Sequence, residues 1–241
     1  MAITLAQART CQSELLSKLS EDQYQLLLPM LDLIEVKIKD VLYRQGEPIE
    51  YAYFPCNCAQ SSMVYMEDGG SVEVGTIGNE SFTGIELLLN ADLAIETVIC
   101  QIPGYSLRMK AGDFKQAVER HPPFRHLLQR SAQAFLAQVA QSVACNRLHN
   151  VETRFARWLL ITHDRVEKDE FFLTQEFMAS MLGVHRPSVS LVAGIFQQAG
   201  IIKYSRGRIS ILDRARLEEA SCECYAVARG HFKRLLDIPR G

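Results

Sequence analysis

Three arginines in the last third of the chain, Arg186, Arg206 and Arg208, have short or apolar neighbours and no acidic residue beside them. A guanidinium with small serines nearby, here Ser188 and Ser190, suits a DNA major groove. Arginines on either side of a glycine at a turn tip suit phosphate. Between 171 and 216 the basic residues are Arg186, Lys203, Arg206, Arg208, Arg214 and Arg216, against Glu176 and Asp213 alone, although the whole chain carries a formal charge of −2. Positive charge gathered on one stretch of an acidic chain marks a nucleic-acid footprint.

Other chemistries find less support. From Gln45 to Leu107 there is no Lys or Arg, whereas acidic residues recur from Glu47 to Glu96, so a buried phosphate would have no counter-charge there unless Arg44 or Arg108 reached inward. Seven cysteines stand at 11, 56, 58, 100, 145, 222 and 224. Cys56-Asn57-Cys58 and Cys222-Glu223-Cys224 have one intervening residue, a spacing poor for a single metal tetrahedron, and Cys11 stands alone, so an iron–sulfur cluster is not indicated either. The cysteines are read as solvent-facing or part-buried thiols, their odd number arguing against a disulfide framework. No metal and no cofactor are expected. The six histidines are scattered, and no Gly-x-Ser-x-Gly, phosphate-loop or His-Glu-x-x-His spacing occurs, so an enzyme is not expected.

The elements that must hold the arginines are legible. Thr174 caps a helix that buries Phe177, Met178, Met181 and Leu182; Gly183 turns the chain; Pro187 sits in the first turn of a second helix. That helix points Val189, Val192, Ile195 and Phe196 inward and Arg186, Ser188, Ser190 and Leu191 outward. Two short strands over 201–211, turning at Arg206-Gly207, make a wing. Upstream, residues 1–34 have helical spacing (Leu15, Leu16, Leu19, Leu27, Leu28, Leu31, Ile34) with Ser20 as a cap. Short alternating strands over 35–107 predict a small antiparallel barrel or sandwich. A helix from about Pro122 to Arg147 carries a heptad seam, Leu128, Ala132, Phe135, Val139 and Ser142, which predicts a partner helix in a dimer. A hinge helix starts after Asn150, 167–170 is a charged loop, and Asp213 caps one final helix. No run of about 18 apolar residues exists and Met1 to Gln12 lacks a signal layout, so no membrane contact and a cytoplasmic location are expected.

Acidic roll, long helix, hinge, then helix-turn-helix with wing: this order resembles the Crp/Fnr family of bacterial transcription regulators. The likeness rests on Gly46-Glu47-Pro48, the run from Gly78 to Gly84, the run from Thr153 to Leu160, and the 174–192 motif. It implies an α+β fold: an N-terminal antiparallel β-roll like a cyclic-nucleotide-binding jelly roll (1–120), a dimerisation helix and hinge (121–149), and a C-terminal winged helix-turn-helix (150–241). It further implies a homodimer on a palindromic double-stranded operator, in contact with RNA polymerase. By the same likeness Arg186 reads a guanine and Thr174 and Gln175 meet the backbone, with His185, Ser188, Ser190, Arg206 and Arg208 completing the DNA surface. Many members carry Glu where this chain has Pro187, so the operator differs from theirs. An effector pocket would lie near Gly84, Ile85, Glu86, Glu96 and Thr97. The arginine that holds a cyclic-nucleotide phosphate in relatives is missing from 92–97, so cAMP and cGMP are not expected to bind in the usual way. The alternative reading is a roll that senses a neutral ligand or thiol oxidation, or mediates protein contacts.

Overall fold

The computed structural model describes residues 11, 13–166 and 168–236. Most of the opening segment read for targeting signals, and Glu167 of the charged loop, lie outside them.

Ser20 and Gln23 exchange side-chain-to-backbone hydrogen bonds of 3.3 and 3.4 Å, a capping box that starts α1 (Glu21–Leu27). Helical spacing suggested continuation to Ile34, but Pro29 has no N–H to donate, the helix ends in a short turn, and Leu31 opens β1 (Leu31–Val36). There follow β2 (Val41–Tyr43), β3 (Tyr51–Pro55), β4 (Ala59–Tyr65), β5 (Ser71–Ile77), the short α2 (Ile85–Leu88), β6 (Thr97–Ile102) and β7 (Gly104–Lys110). They form two antiparallel sheets, ordered β1-β7-β3 and β2-β6-β4-β5. The roll is closed by α3 (Ala111–Arg120) and the start of α4 (Pro122–Leu148), where Phe54, Phe82, Phe114 and Phe124 meet with centroids 6.0–6.5 Å apart.

The long helix covers its expected span, but not with the expected face outward. Leu128, Ala132, Phe135 and Ser142 are buried within the chain and Val139 half-buried, so this seam is already filled. Phe135 lies so close over Gly75 of β5 that a Cβ there would fall 2.5 Å from its ring. The reason is that a heptad seam reports any long apolar packing, and the roll supplies it. The neighbouring stripe, one position on, is open: Gln129, Gln133, Leu136, Ala140, Val143 and Arg147, with Leu136 and Val143 63% and 65% exposed.

After α5 (Val151–Val166), capped by the Asn150 carboxamide accepting from Thr153 N at 3.0 Å, come β8 (Glu170–Phe172), α6 (Gln175–Leu182), α7 (Arg186–Gln198), β9 (Ile202–Ser205) and β10 (Arg208–Ile211). Glu170, expected in a loop, begins a strand, because β10 pairs with β8 as well as β9. The single final helix expected after Asp213 is two, α8 (Arg214–Ala220) and α9 (Cys224–Leu236), since Ser221 takes an extended ψ of 164°. α9 leaves the winged domain: Phe232 and Leu236 join the apolar core of the roll with Leu127 and Leu128.

A polar seam joins roll and winged domain. Buried Glu73 of β5 accepts from the Trp158 indole and the Thr76 hydroxyl, Arg165 meets Glu80 at 2.8 Å and Gln138 at 3.0 Å, and Ser71 lies 2.6 Å from Ser180 of α6. Burial raises the Glu73 carboxyl above its ordinary range, with Thr76, Trp158, Arg157 and Arg165 opposing.

The cysteines depart from expectation. Cys11 and Cys56 form a disulfide, with Cα atoms 5.1 Å apart, because Leu15 and Leu16 anchor the lead-in turn in the roll core beside β3. The other five are buried rather than solvent-facing, and burial pushes the Cys58 thiol up to about 12, away from thiolate chemistry.

Candidate nucleic-acid interface

Thr174 Oγ1 accepts from Phe177 N at 3.2 Å and so starts α6, while Gly183 ends it at φ +61°. A side chain there would be strained, and its Cβ would lie 3.1 Å from Val72 of the roll. The chain then enters α7 through His185 in extended conformation, its imidazole exposed and not used as a cap.

Val189, Val192, Ala193 and Phe196 hold α7 in the domain core. Ile195, expected with them, is 41% exposed: it lies beside Leu191, one turn on, along the outer face. That face presents Arg186, Pro187, Ser190 and Leu191; Ser188 is half-buried at its flank. Among the described residues Arg186 pairs with Glu176, Nε to Oε1 at 3.1 Å, with both side chains 62% exposed. Such a surface pair is worth ~0–1 kcal/mol and yields readily to a base or phosphate. Ser190 donates to Gln175 Oε1 at 2.7 Å, which ties the outer faces of the two helices together.

The wing turns at Arg206 (φ +50°) and Gly207 (φ +81°), a type I′ hairpin turn. A Cβ at Gly207 would strike the Phe172 ring at 2.7 Å. Arg206 is exposed at the tip, and Arg208 pairs with Glu170 at 2.9 Å, whose carboxyl is lowered by that bond and by Ser210. Two features were not read from the sequence. Gln197 Oε1 accepts from Tyr204 N at 2.8 Å and fixes the wing to α7, and Arg216 donates to Ala199 O at 2.7 Å, closing the end of α7. Arg214 is likewise structural, bonded to Asp164, Glu218 and Tyr225. The outward basic set is thus Arg186, Lys203, Arg206 and Arg208.

In the roll, Gly84 N donates to Tyr43 Oη at 3.2 Å, Thr97 Oγ1 accepts from Gln45 N at 3.1 Å, and buried Glu86 accepts from Ile95 N at 3.1 Å through one oxygen. Its second carboxylate oxygen has no partner among the described residues. Burial, and next the Glu86 charge, raise Glu96 to about 7, with the Ser62 hydroxyl opposing. Ile85, half-buried, opens α2 beside them. Of the two flanking arginines, Arg44 is exposed, and Arg108 lies over the Tyr51 ring at 4.2 Å with Asp32 at 3.7 Å.

A β-roll joined by one long helix to a winged helix-turn-helix defines a class of transcription regulators. Residues 33–121 match the cyclic nucleotide-binding domain model and 153–220 the Crp-like helix-turn-helix domain model. The structure of FixK2 from Bradyrhizobium japonicum is similar at TM-score 0.68 and 16% identity, covering 80% of this chain and 98% of that one. TTHB099, a CRP-family transcriptional regulator from Thermus thermophilus, gives 0.66 at 19%, covering 78% and 96%. The c-di-GMP-responsive regulator CLP from Xanthomonas campestris gives 0.65 at 13%, covering 80% and 99%. No curated protein sequence matches the chain. The chain belongs to the Crp/Fnr family of transcription regulators.

Proposed function

We propose that the protein is a sequence-specific regulator that works as a homodimer on a palindromic operator, with one α7 per half-site and no catalytic activity. The observation that carries this reading is the exposed Arg186 in the first turn of a helix whose opposite face is locked in the domain core, with Arg206 and Arg208 exposed on the wing that follows it. Thr174 and Gln175 lie at the start of α6, where a hydroxyl and an amide can meet the sugar-phosphate backbone. The open stripe of α4 around Leu136 and Val143 supplies the dimer seam, shifted one position from the buried heptad. Contact with RNA polymerase follows from the family, as does a cytoplasmic site of action; no described helix is long and apolar enough to cross a membrane.

The roll, in this reading, is not a receptor for cAMP or cGMP. Glu86, buried with one carboxylate oxygen that has no partner among the described residues, and Glu96, whose carboxyl is raised to about 7, would offer acids where a cyclic phosphate needs a cation. Calorimetric titration with cAMP tests this directly: micromolar binding refutes it. DNA binding is tested by titrating the protein onto labelled duplex at several salt concentrations. Affinity that falls steeply with salt is expected, and affinity indifferent to salt would remove DNA as the partner.

A further inference from the structure

The end of α4 and the start of α9 bring together Cys145, His149, Cys222 and Cys224, whose Sγ and ring-nitrogen atoms all lie within 4.8 Å of one another. We propose that these four residues bind a single divalent zinc-type ion as a closed structural site. The expectation of no metal rested on the Cys-x-Cys spacing taken alone. Folding completes the set by adding Cys145 and His149, one helical turn apart, from a different helix.

The distances fit one ion. Two sulfurs bound at ~2.3 Å to a tetrahedral centre lie ~3.8 Å apart, and a sulfur and an imidazole nitrogen slightly less. Cys145 Sγ is 3.5 Å from Cys222 Sγ, and Cys224 Sγ is 3.5 Å from His149 Nδ1. An iron–sulfur cluster would spread its ligands over different irons, further apart than this. Three thiolates with one imidazole favour a soft or borderline cation over calcium or magnesium, and a full set of four protein ligands leaves no open position for catalysis.

The surroundings are those of a metal site. His149 directs Nδ1 to the cysteines and Nε2 to the Glu223 carboxylate at 3.4 Å, the carboxylate–histidine–metal arrangement that orients an imidazole ligand. Gln141 Nε2 donates to Cys224 Sγ at 3.0 Å. Three thiolates and a dication leave one negative charge, and α5, which starts just after His149, carries two buried guanidinium groups, Arg154 and Arg157. The cysteines are buried, while His149 is partly exposed and gives the ion its way in. On binding, the thiol protons pass to solvent. The bound ion fastens α9 to the end of α4, next to the Asn150 hinge. The inference does not depend on the DNA-binding reading.

The test is cobalt titration of the reduced, chelator-stripped full-length chain. One equivalent of Co2+ is expected to produce the strong visible bands and thiolate charge-transfer absorption of a tetrahedral site, bleached by one equivalent of Zn2+. Weak octahedral cobalt colour alone overturns the proposal. Cys222→Ser with Cys224→Ser should lose the spectrum, Cys58→Ser should keep it, and His149→Cys should keep it with stronger thiolate absorption. Glu223→Gln should weaken Zn2+ by about 10-fold. Should the double variant misfold, as circular dichroism would reveal, the wild-type and His149→Cys titrations still decide: a tetrahedral spectrum in both supports the site, and its absence from the wild type sinks it.

Discussion

Replacing Glu96 by Gln should stabilise the protein in a pH-dependent way. The Glu96 carboxyl, half-buried, moves from its ordinary 4.5 to about 7 in the fold, chiefly through desolvation and next through the neighbouring Glu86 carboxylate. A group whose folded pKa is raised favours folding most below its unfolded value, and that contribution is lost as pH rises through the folded one. Wild-type stability should therefore fall between about pH 4.5 and 7 on account of this residue. At ~1.4 kcal/mol per tenfold change in proton affinity the loss is at most ~3.5 kcal/mol. At ~2–4 °C per kcal/mol for a chain of this size, that is up to ~14 °C in Tm. Glutamine keeps the shape of the neutral acid without its charge. Scanning calorimetry of wild type and Glu96→Gln should give equal Tm at pH 4 and a higher Tm for the variant at pH 8. An equal difference at both pH values would show that Glu96 is solvated and that the roll is not averse to anions.

Three further outcomes follow from the geometry. Arg206→Ala with Arg208→Ala should flatten the slope of log affinity against log salt by ~2 or more per dimer, since each phosphate contact contributes ~0.9 and each half-site loses at least one; an unchanged slope would take the wing off the DNA. Leu136→Glu with Val143→Glu places charges along the open stripe of α4 and should yield monomers in sedimentation equilibrium, whereas a persisting dimer would assign the seam elsewhere. Gly183→Ala puts a side chain at φ +61°, with its Cβ 3.1 Å from Val72, and should cost ~1–3 kcal/mol in denaturant unfolding; no loss would mean the turn relaxes freely.

The winged domain was readable from sequence because its signals are local: the Thr174 cap, Gly183 in the left-handed region, Pro187 in a first turn and the Arg206-Gly207 hairpin are each fixed by a few adjacent residues. What depends on distant partners was not. The seam from Leu128 to Ser142 has the period of a dimer helix, but period does not say which surface covers it, and β5 does, with Phe135 on Gly75. Ile195 fits the inner period of α7, yet the helix turns it toward Leu191 and solvent. Cys222 and Cys224 gave no metal signal alone, because the other two ligands come from a helix more than seventy residues earlier. Arg214 and Arg216 counted toward a basic footprint and are instead held in the fold by Asp164 and the Ala199 carbonyl.

In the proposed function Arg186 reads bases for a symmetric dimer. Selecting bound sequences from a random duplex pool with the ligand-free protein, then with Arg186→Ala, addresses it most directly. A two-fold symmetric motif with half-site centres about 34 Å apart is predicted, with preference at the guanine-bearing positions lost in the variant at a cost of ~1–3 kcal/mol. No symmetric motif, or the same motif in both proteins, would contradict base reading by Arg186.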